Sequence, residues 1–239
     1  MILAFDTATP STAAAAWAPG GVGVERRDDP ARGERPRHAE RLLPLLEEAL
    51  EAAGADWEDV KRLAVGVGPG GFTGLRLGIA TARALAQARG LPVVAVSSLE
   101  ALARGADAPD ANAGLSTLAS PARGPGVPSK VAAVIDARRG EVFAAAWDGE
   151  ALVLEPAALS PAALAERLPP GFVAVGDGAV RFREQLERAG ATVPADGSPA
   201  HRVSALSIAR LAQGREPADR DALLPDYHRE PDAEPPKPQ

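Results

Sequence analysis

The sequence predicts a duplicated α/β architecture, and three observations carry it. Two apolar segments run into an aspartate, Ile2–Phe5 into Asp6 and Val131–Ile135 into Asp136. Eleven positions after each aspartate stands the tryptophan of an AAAW run, Trp17 and Trp147, with a glycine soon after it, Gly20 and Gly149. The stretch Leu63–Leu77, LAVGVGPGGFTGLRL, reads as strand, glycine turn and helix, and FVAVG (Phe172–Gly176) with a helix over 179–189 repeats it in shorter form. Two copies of a unit with a meander first and α/β elements after it give two similar subdomains.

Taken in order, Ile2–Phe5 is a buried strand ending at Asp6, Thr7–Ser11 a turn and Thr12–Trp17 a second strand. Gly20 and Gly21 turn the chain into a third strand, Val22–Arg26, completing a β-meander. A polar, proline-bearing connection, Asp28–Arg37, leads into a helix from Arg37 to Ala53 that Gly54 stops. Pro44 lies inside that helix, where it removes one hydrogen bond and bends the axis. The apolar residues of this helix, Leu42, Leu43, Leu45, Leu46 and Leu50 among them, cover a wider arc than one core contact needs. Two readings fit: a well-buried helix, or one that turns part of the arc to a partner protein.

Leu63–Val67 is a buried strand, and Gly68–Gly71 the turn that opens a helix near Phe72 or Thr73, running to Arg89 with Gly90 closing it. Gly74, Gly78, Ala82 and Ala86 recur every four positions along it, a stripe that admits close approach of a sheet or another helix. Pro92–Val96 is a further strand, and Ser98 is expected to cap a short helix containing Leu99–Ala103. Gly105–Ser129, rich in Ala, Gly, Pro and Ser, reads as a flexible insertion between a first subdomain (1–104) and a second (130–202). The helix Val203–Ala212 is expected to pack back on the first subdomain, and the tail 230–239 to be disordered.

Composition narrows the function. The 239 residues suffice for a large core, and the absence of cysteine excludes disulfides, thiolate chemistry and Cys-based zinc sites. A net charge of −6 argues against a chain that grips nucleic acid by itself. No apolar run spans a bilayer, and MILAFD has no basic segment before its apolar residues, so a cytoplasmic protein is expected.

Gly66, Gly68 and Gly71 satisfy G-x-G-x-x-G, yet the next strand ends in Ser97 and Ser98 with no acid for a ribose, and NAD binding is rejected. The loop holds no lysine, so a Walker A site fails as well. Asp6, Thr7 and Thr9 form a D-T-x-T turn where actin-like ATPases hold a phosphate, although an aspartate capping its own turn is the plainer account. Arg138 and Arg139 follow Asp136 where a second phosphate loop needs small residues, and read as a surface or interface feature. His38, His201 and His228 are scattered, and no G-x-S-x-G elbow occurs, so no complete active site is legible. A lone His38 near a helix start reads as a capping or surface residue.

A strand–turn–strand ending in Asp, present twice, is the layout of the actin-like (ASKHA) ATPases and of the RNase H-like fold. More specifically, ILAFDTAT, RHAERLLPLL, GVGPGGFTGLRLGIATARALA, VVAVSSLEALA, AVIDARRGEV, GDGA and LPDYHR resemble the TsaB (YeaZ) family of tRNA threonylcarbamoyladenosine (t6A) biosynthesis over most of the chain. Gly71 stands where that family usually has serine. The resemblance implies a duplicated actin-like fold and a largely non-catalytic subunit that pairs with the transferase TsaD and the ATPase TsaE. It implies no cofactor of its own, since TsaD holds the metal and the complex uses ATP and tRNA. The metal-binding His-x-x-x-His of TsaD falls here on Ser98 and Leu102, neither an imidazole.

The interface expected from these residues is Leu42, Leu45, Leu46 and Leu50 with Gly74, Gly78 and Ala82, facing TsaD or a second copy of the chain. A subsidiary nucleotide contact is expected at Asp6, Thr7, Thr9, Gly70, Gly71, Thr73 and Arg76. The rival expectations are a stand-alone actin-like ATPase or small-molecule kinase and, more weakly, a peptidase, which the missing nucleophile–base pair disfavours.

Overall fold

A computed structural model describes residues 1–21, 23–31, 33–106 and 129–228. Ile2–Asp6 (β1), Thr12–Trp17 (β2) and Val24–Asp28 (β3) form the antiparallel meander, with Ile2 opposite Trp17 and Asp6 opposite Ala13. The third strand lies two residues later than the sequence suggests, because Ala18–Gly21 closes its own turn and the ladder begins at the Ala16–Val24 pair. After His38–Ala52 (α1), Arg62–Gly66 (β4) pairs in parallel with β1. After Phe72–Arg89 (α2), Val93–Val96 (β5) pairs in parallel with β4, giving the order β3-β2-β1-β4-β5.

The period of two along β1 sorts its side chains between two cores. Leu3 and Phe5 face α1 and α2, whereas Ile2 and Ala4 face Ser98–Gly105 (α3) and the second half. α1 stays helical through Pro44, and α2 ends at Gly90 in the left-handed conformation (φ +63°), as a glycine after an arginine terminus predicts. Ser97, not Ser98, caps α3: its hydroxyl accepts from the Glu100 amide, and Ser98 is the first helical residue.

Among the described residues the second sheet repeats the first without its fifth strand. Lys130–Arg138 (β6), Glu141–Asp148 (β7) and Ala151–Leu159 (β8) form a meander in which Val131 is opposite Trp147, as Ile2 is opposite Trp17. Val173–Val175 (β9) joins β6 in parallel, so the order is β8-β7-β6-β9. The sequence gives no signal for β8, whose Pro156 is tolerated because the strand is at the edge and its register is irregular. Pro161–Arg167 (α4), capped by Ser160, is seven residues long, too short to show a helical period in the sequence. The helix expected over 179–189 is two pieces, Asp177–Arg181 (α5) and Arg183–Arg188 (α6), broken at Phe182, which packs on the Leu164 and Leu186 core.

Ala205–Gln213 (α7) lies between the sheets. Ala205 packs on Ala13 and Ala15, and Ile208, Ala209 and Ala212 join a core that includes Ala4, Leu102 and Trp147. Glu25 fixes its start by accepting from the Ser204 hydroxyl (2.8 Å) and the Leu206 amide (2.9 Å). The chain then crosses β5 at Ala218 and follows α2, where the Arg83 guanidinium donates to the carbonyls of Arg220 and Asp221. The expected insertion between Gly105 and Ser129 and the expected disordered tail fall on 107–128 and 229–239, outside the described residues. Among the described residues no helix is long and apolar enough to cross a membrane.

Candidate functional site

The expected leucine interface is interior to this chain. Leu42, Leu45, Leu46 and Leu50 are 0–3 % exposed and pack with Leu3, Phe5, Leu63 and Val65 on the face of the first sheet. Leu43 apart, the wide arc of α1 is therefore explained by burial, because the helix lies over a sheet and not along a narrow groove. The residues that α1 presents outward are Ala39, Glu40, Leu43, Glu47, Glu51 and Ala52, with Leu43 49 % exposed.

The small-residue stripe of α2 also points inward. A methyl group on Gly74 would collide with the Thr7 carbonyl oxygen, one on Gly78 with the Thr7 hydroxyl, and Ala82 is fully buried. The Thr7 hydroxyl donates to the Gly74 carbonyl at 2.7 Å, so the turn after β1 is stapled into the groove those glycines leave. Gly70 makes a similar approach to Ala8, and the Gly71 amide donates to the Ala8 carbonyl at 2.7 Å. Packing of α2 on the turn after β1 and on the first sheet, not on a partner helix, accounts for the four-residue spacing.

Asp6 lies beneath this turn, 1 % exposed. It accepts from the Ala8 amide (2.8 Å) and the Ser98 hydroxyl (2.6 Å), while the Ser98 oxygen also receives the Gly68 amide (3.3 Å). Burial raises its pKa above the usual carboxylate value, and those donors partly oppose the rise. Asp6 is thus a strut between β1, α3 and the glycine loop, and Leu102, one turn on from Ser98, is in the core.

A cleft of about 1110 Å3 opens between the halves above these elements. One wall holds Thr7, Thr9, Gly70, Gly71, Thr73 and Arg76; the other holds Asp136, Arg138 and Asp177. The structure thus gathers most of the expected nucleotide contacts at one rim, with Asp6 beneath them. It adds His38, Arg35, Phe72 and Tyr227, which sequence reasoning did not select. Arg76 stacks over the Phe72 ring (3.7 Å to the centroid) and donates to the Tyr227 hydroxyl (3.1 Å). Phe72 and Tyr227 stack at 5.8 Å. Tyr227 reaches Phe72 from 155 positions further along the chain, so no local pattern could have paired the two.

On the opposite wall the Asp136 carboxylate meets Arg181 (2.7 Å) and Arg138 (3.6 Å) and accepts the Arg138 amide. Asp177 accepts the Asp136 amide at 2.9 Å, and burial raises its pKa. Arg138 (φ +65°) and Arg139 (φ +53°) sit in the left-handed region at the hairpin tip, next to Gly140. Among the described residues no group of three or more His, Cys, Asp or Glu side chains is placed to hold a metal ion.

The family model described as "TsaD: tRNA N6-adenosine threonylcarbamoyltransferase" matches residues 32–175. The tRNA threonylcarbamoyladenosine biosynthesis protein TsaB of Escherichia coli is 35 % identical over 188 residues, 74 % of this chain and 71 % of that one. The chain belongs to the TsaB family. The TsaB protein of Bacillus subtilis is 27 % identical over 82 % of both chains. The solved structure of YeaZ from Pseudomonas aeruginosa has 30 % identity and a TM-score of 0.71, covering 95 % of this chain and 98 % of that one. A second structure from that organism, described as similar to peptidase YEAZ, has 31 % identity and a TM-score of 0.73. The duplicated sheets described above are therefore the actin-like fold of TsaB-type proteins.

Proposed function

We propose that this chain acts in t6A formation on tRNA as a non-catalytic subunit that pairs with TsaD and TsaE. Family membership over most of the chain supports the pathway. The observation that carries the non-catalytic part is the state of α3: Ser98 spends its hydroxyl on Asp6, and Leu102 is sealed in the core. At the positions where TsaD-type chains place metal-ligating imidazoles, this chain builds structure. In this reading TsaD holds the metal, the complex uses ATP, and this subunit brings no cofactor.

Docking then falls to the outward residues of the first two helices, Ala39 and Leu43 on α1 and Thr73, Ala80 and Ala84 on α2, all exposed. They replace the leucines expected from the sequence. Partner helices need such small and aliphatic positions for close packing. The test is reconstitution of tRNA modification from TsaD, TsaE and this chain, omitting each in turn. Modification is expected to fail without this chain, and Leu43→Glu is expected to abolish co-purification with TsaD. Hydrolysis of Mg-ATP by the isolated chain would instead favour a stand-alone ATPase.

A further inference from the structure

We propose that His38 and the first turn of α2 form a binding site for a phosphate-type oxyanion. Four observations converge on this place. His38 is 8 % exposed, yet it lines the cleft, and its Nε2–Cδ2 edge faces α2: a methyl group at Gly74 would lie 3.1 Å from Nε2. The imidazole has one intramolecular partner among the described residues, Thr12, whose hydroxyl lies 2.8 Å from Nδ1. Thr12 is fully buried, and among the described residues Nδ1 is the one partner of its hydroxyl. The hydroxyl therefore donates to Nδ1, which places the ring proton on Nε2, the edge that faces Gly74 of α2, with no acceptor among the described residues.

The second observation is the α2 terminus itself. Gly71 gives its amide to Ala8, but the amides of Phe72, Thr73 and Gly74 have no acceptor among the described residues, and no side chain caps the helix. No acidic residue occupies the first turn of this 18-residue helix. Third, Arg35 and Arg76 line the same wall with no carboxylate partner among the described residues, whereas Asp136 is held by Arg181 and Arg138, and Asp226 by His228. Fourth, burial keeps the His38 pKa below the usual imidazole value, so at neutral pH the group is a neutral N–H donor in a fixed tautomer. A buried N–H, three backbone amides and two guanidiniums suit an anion with several acceptor oxygens.

The experiment uses the full chain. Inorganic phosphate is titrated at neutral pH while the amide signals of Phe72, Thr73 and Gly74 and the Nε2–H signal of His38 are followed by NMR. Saturable shifts of all four are expected. Removing a hydrogen bond to a charged group should weaken binding roughly tenfold or more in His38→Leu, with His38→Gln retaining part of it. Should the buried variants fail to fold, Arg76→Gln, at the surface, is expected to weaken binding, and the wild-type His38 signal remains decisive. A nucleoside monophosphate run in parallel identifies the source. Tighter binding, with shifts reaching Arg138 and Asp177, means the phosphate arrives on a larger ester; equal affinity means free phosphate. No phosphate-dependent shift at these groups, or unchanged affinity in folded His38→Leu, would overturn the site.

Discussion

The two hairpins that open the halves start alike and finish differently. Asp6 and Asp136 end equivalent strands, and each accepts the amide two residues on, at 2.8 Å and 2.9 Å. Beyond that, the first turn is long, and Thr7 inserts between it and the glycines of an 18-residue helix. The second closes tightly through Arg139 and Gly140, and the helix behind it has five residues. A turn that must seat a long helix is confined to small, internally bonded residues. Where the helix is shortened, the turn is released from packing and can carry guanidiniums. Duplication kept the strands and redistributed the constraints.

The largest test concerns the helix laid over each sheet, α1 in the first half and the seven-residue α4 in the second. Leu46 and Leu164 are both fully buried. Leu46→Ala should lower unfolding free energy by about 3 kcal/mol in urea titration, the range for truncating an enclosed leucine. Leu43→Ala, on the exposed side, should leave stability within about 0.5 kcal/mol. A Leu46→Ala variant as stable as wild type would return the leucine face to the category of partner surfaces.

Next comes the turn-to-helix contact. Alanine is the better helix former, and at an open site Gly74→Ala would gain up to about 1 kcal/mol. Here the added methyl meets the Thr7 carbonyl oxygen and crowds His38, so overpacking should win and net destabilisation of about 2 kcal/mol is expected by thermal unfolding. Stabilisation would mean that the first turn yields as readily as the second.

These elements also show what the sequence could convey. The strands and helices of the first half follow from local rules: apolar runs, glycine stops, and an alternation that flips at each residue. The repeat was legible because Asp and AAAW hold the same spacing. The leucine arc and the glycine stripe were visible, but their direction was not, since burial against a sheet and burial against a partner select the same residues. Ser98 shows the same limit, because its role depends on Asp6, 92 positions away. His38 resembled a surface cap until β2 placed Thr12 beside it. The cleft, made from both halves and the segment Asp226–His228, has no local signature.

The response to acid separates the halves by their histidines. In the second half, His201 Nδ1 accepts from the Gly176 amide and Nε2–H donates to the Pro194 carbonyl, both at 3.1 Å, so the neutral ring alone satisfies both partners. Burial lowers its pKa below the ordinary value of 6.5. The unfolded chain therefore takes up the proton first as pH falls. Stability from this ring is fully present above about pH 6.5 and is lost as pH drops toward the lowered folded pKa. Asp6 and Asp177, raised by burial, act in the opposite sense, gaining protons in the folded state as pH falls. His201→Asn isolates the imidazole: its stability should fall less than that of wild type between neutral and mildly acidic pH. Parallel curves for the two proteins would assign the acid response to His38 or elsewhere.

The smallest effect tests the freedom of the second turn directly. Arg139 holds φ +53° and Gly140 φ +81°, both positive, as a two-residue hairpin of the primed kind requires. A non-glycine residue in that region costs roughly 1 kcal/mol, and asparagine tolerates it better than arginine. Arg139→Asn creates the Asn-Gly pair such hairpins favour and should stabilise the protein by about 0.5 kcal/mol, net of the contacts the arginine gives up. Arg138 is the harder position: at φ +65° it follows the irregularity in β6, and its amide bonds to Asp136. There Asn would also release Asp136 from one of its two guanidiniums, offsetting the relief. Stabilisation at 139 without a matching gain at 138 is the expected pattern in urea titration. Destabilisation at 139 would show that the arginine's own contacts hold the hairpin, and that the second turn is as tightly constrained as the first.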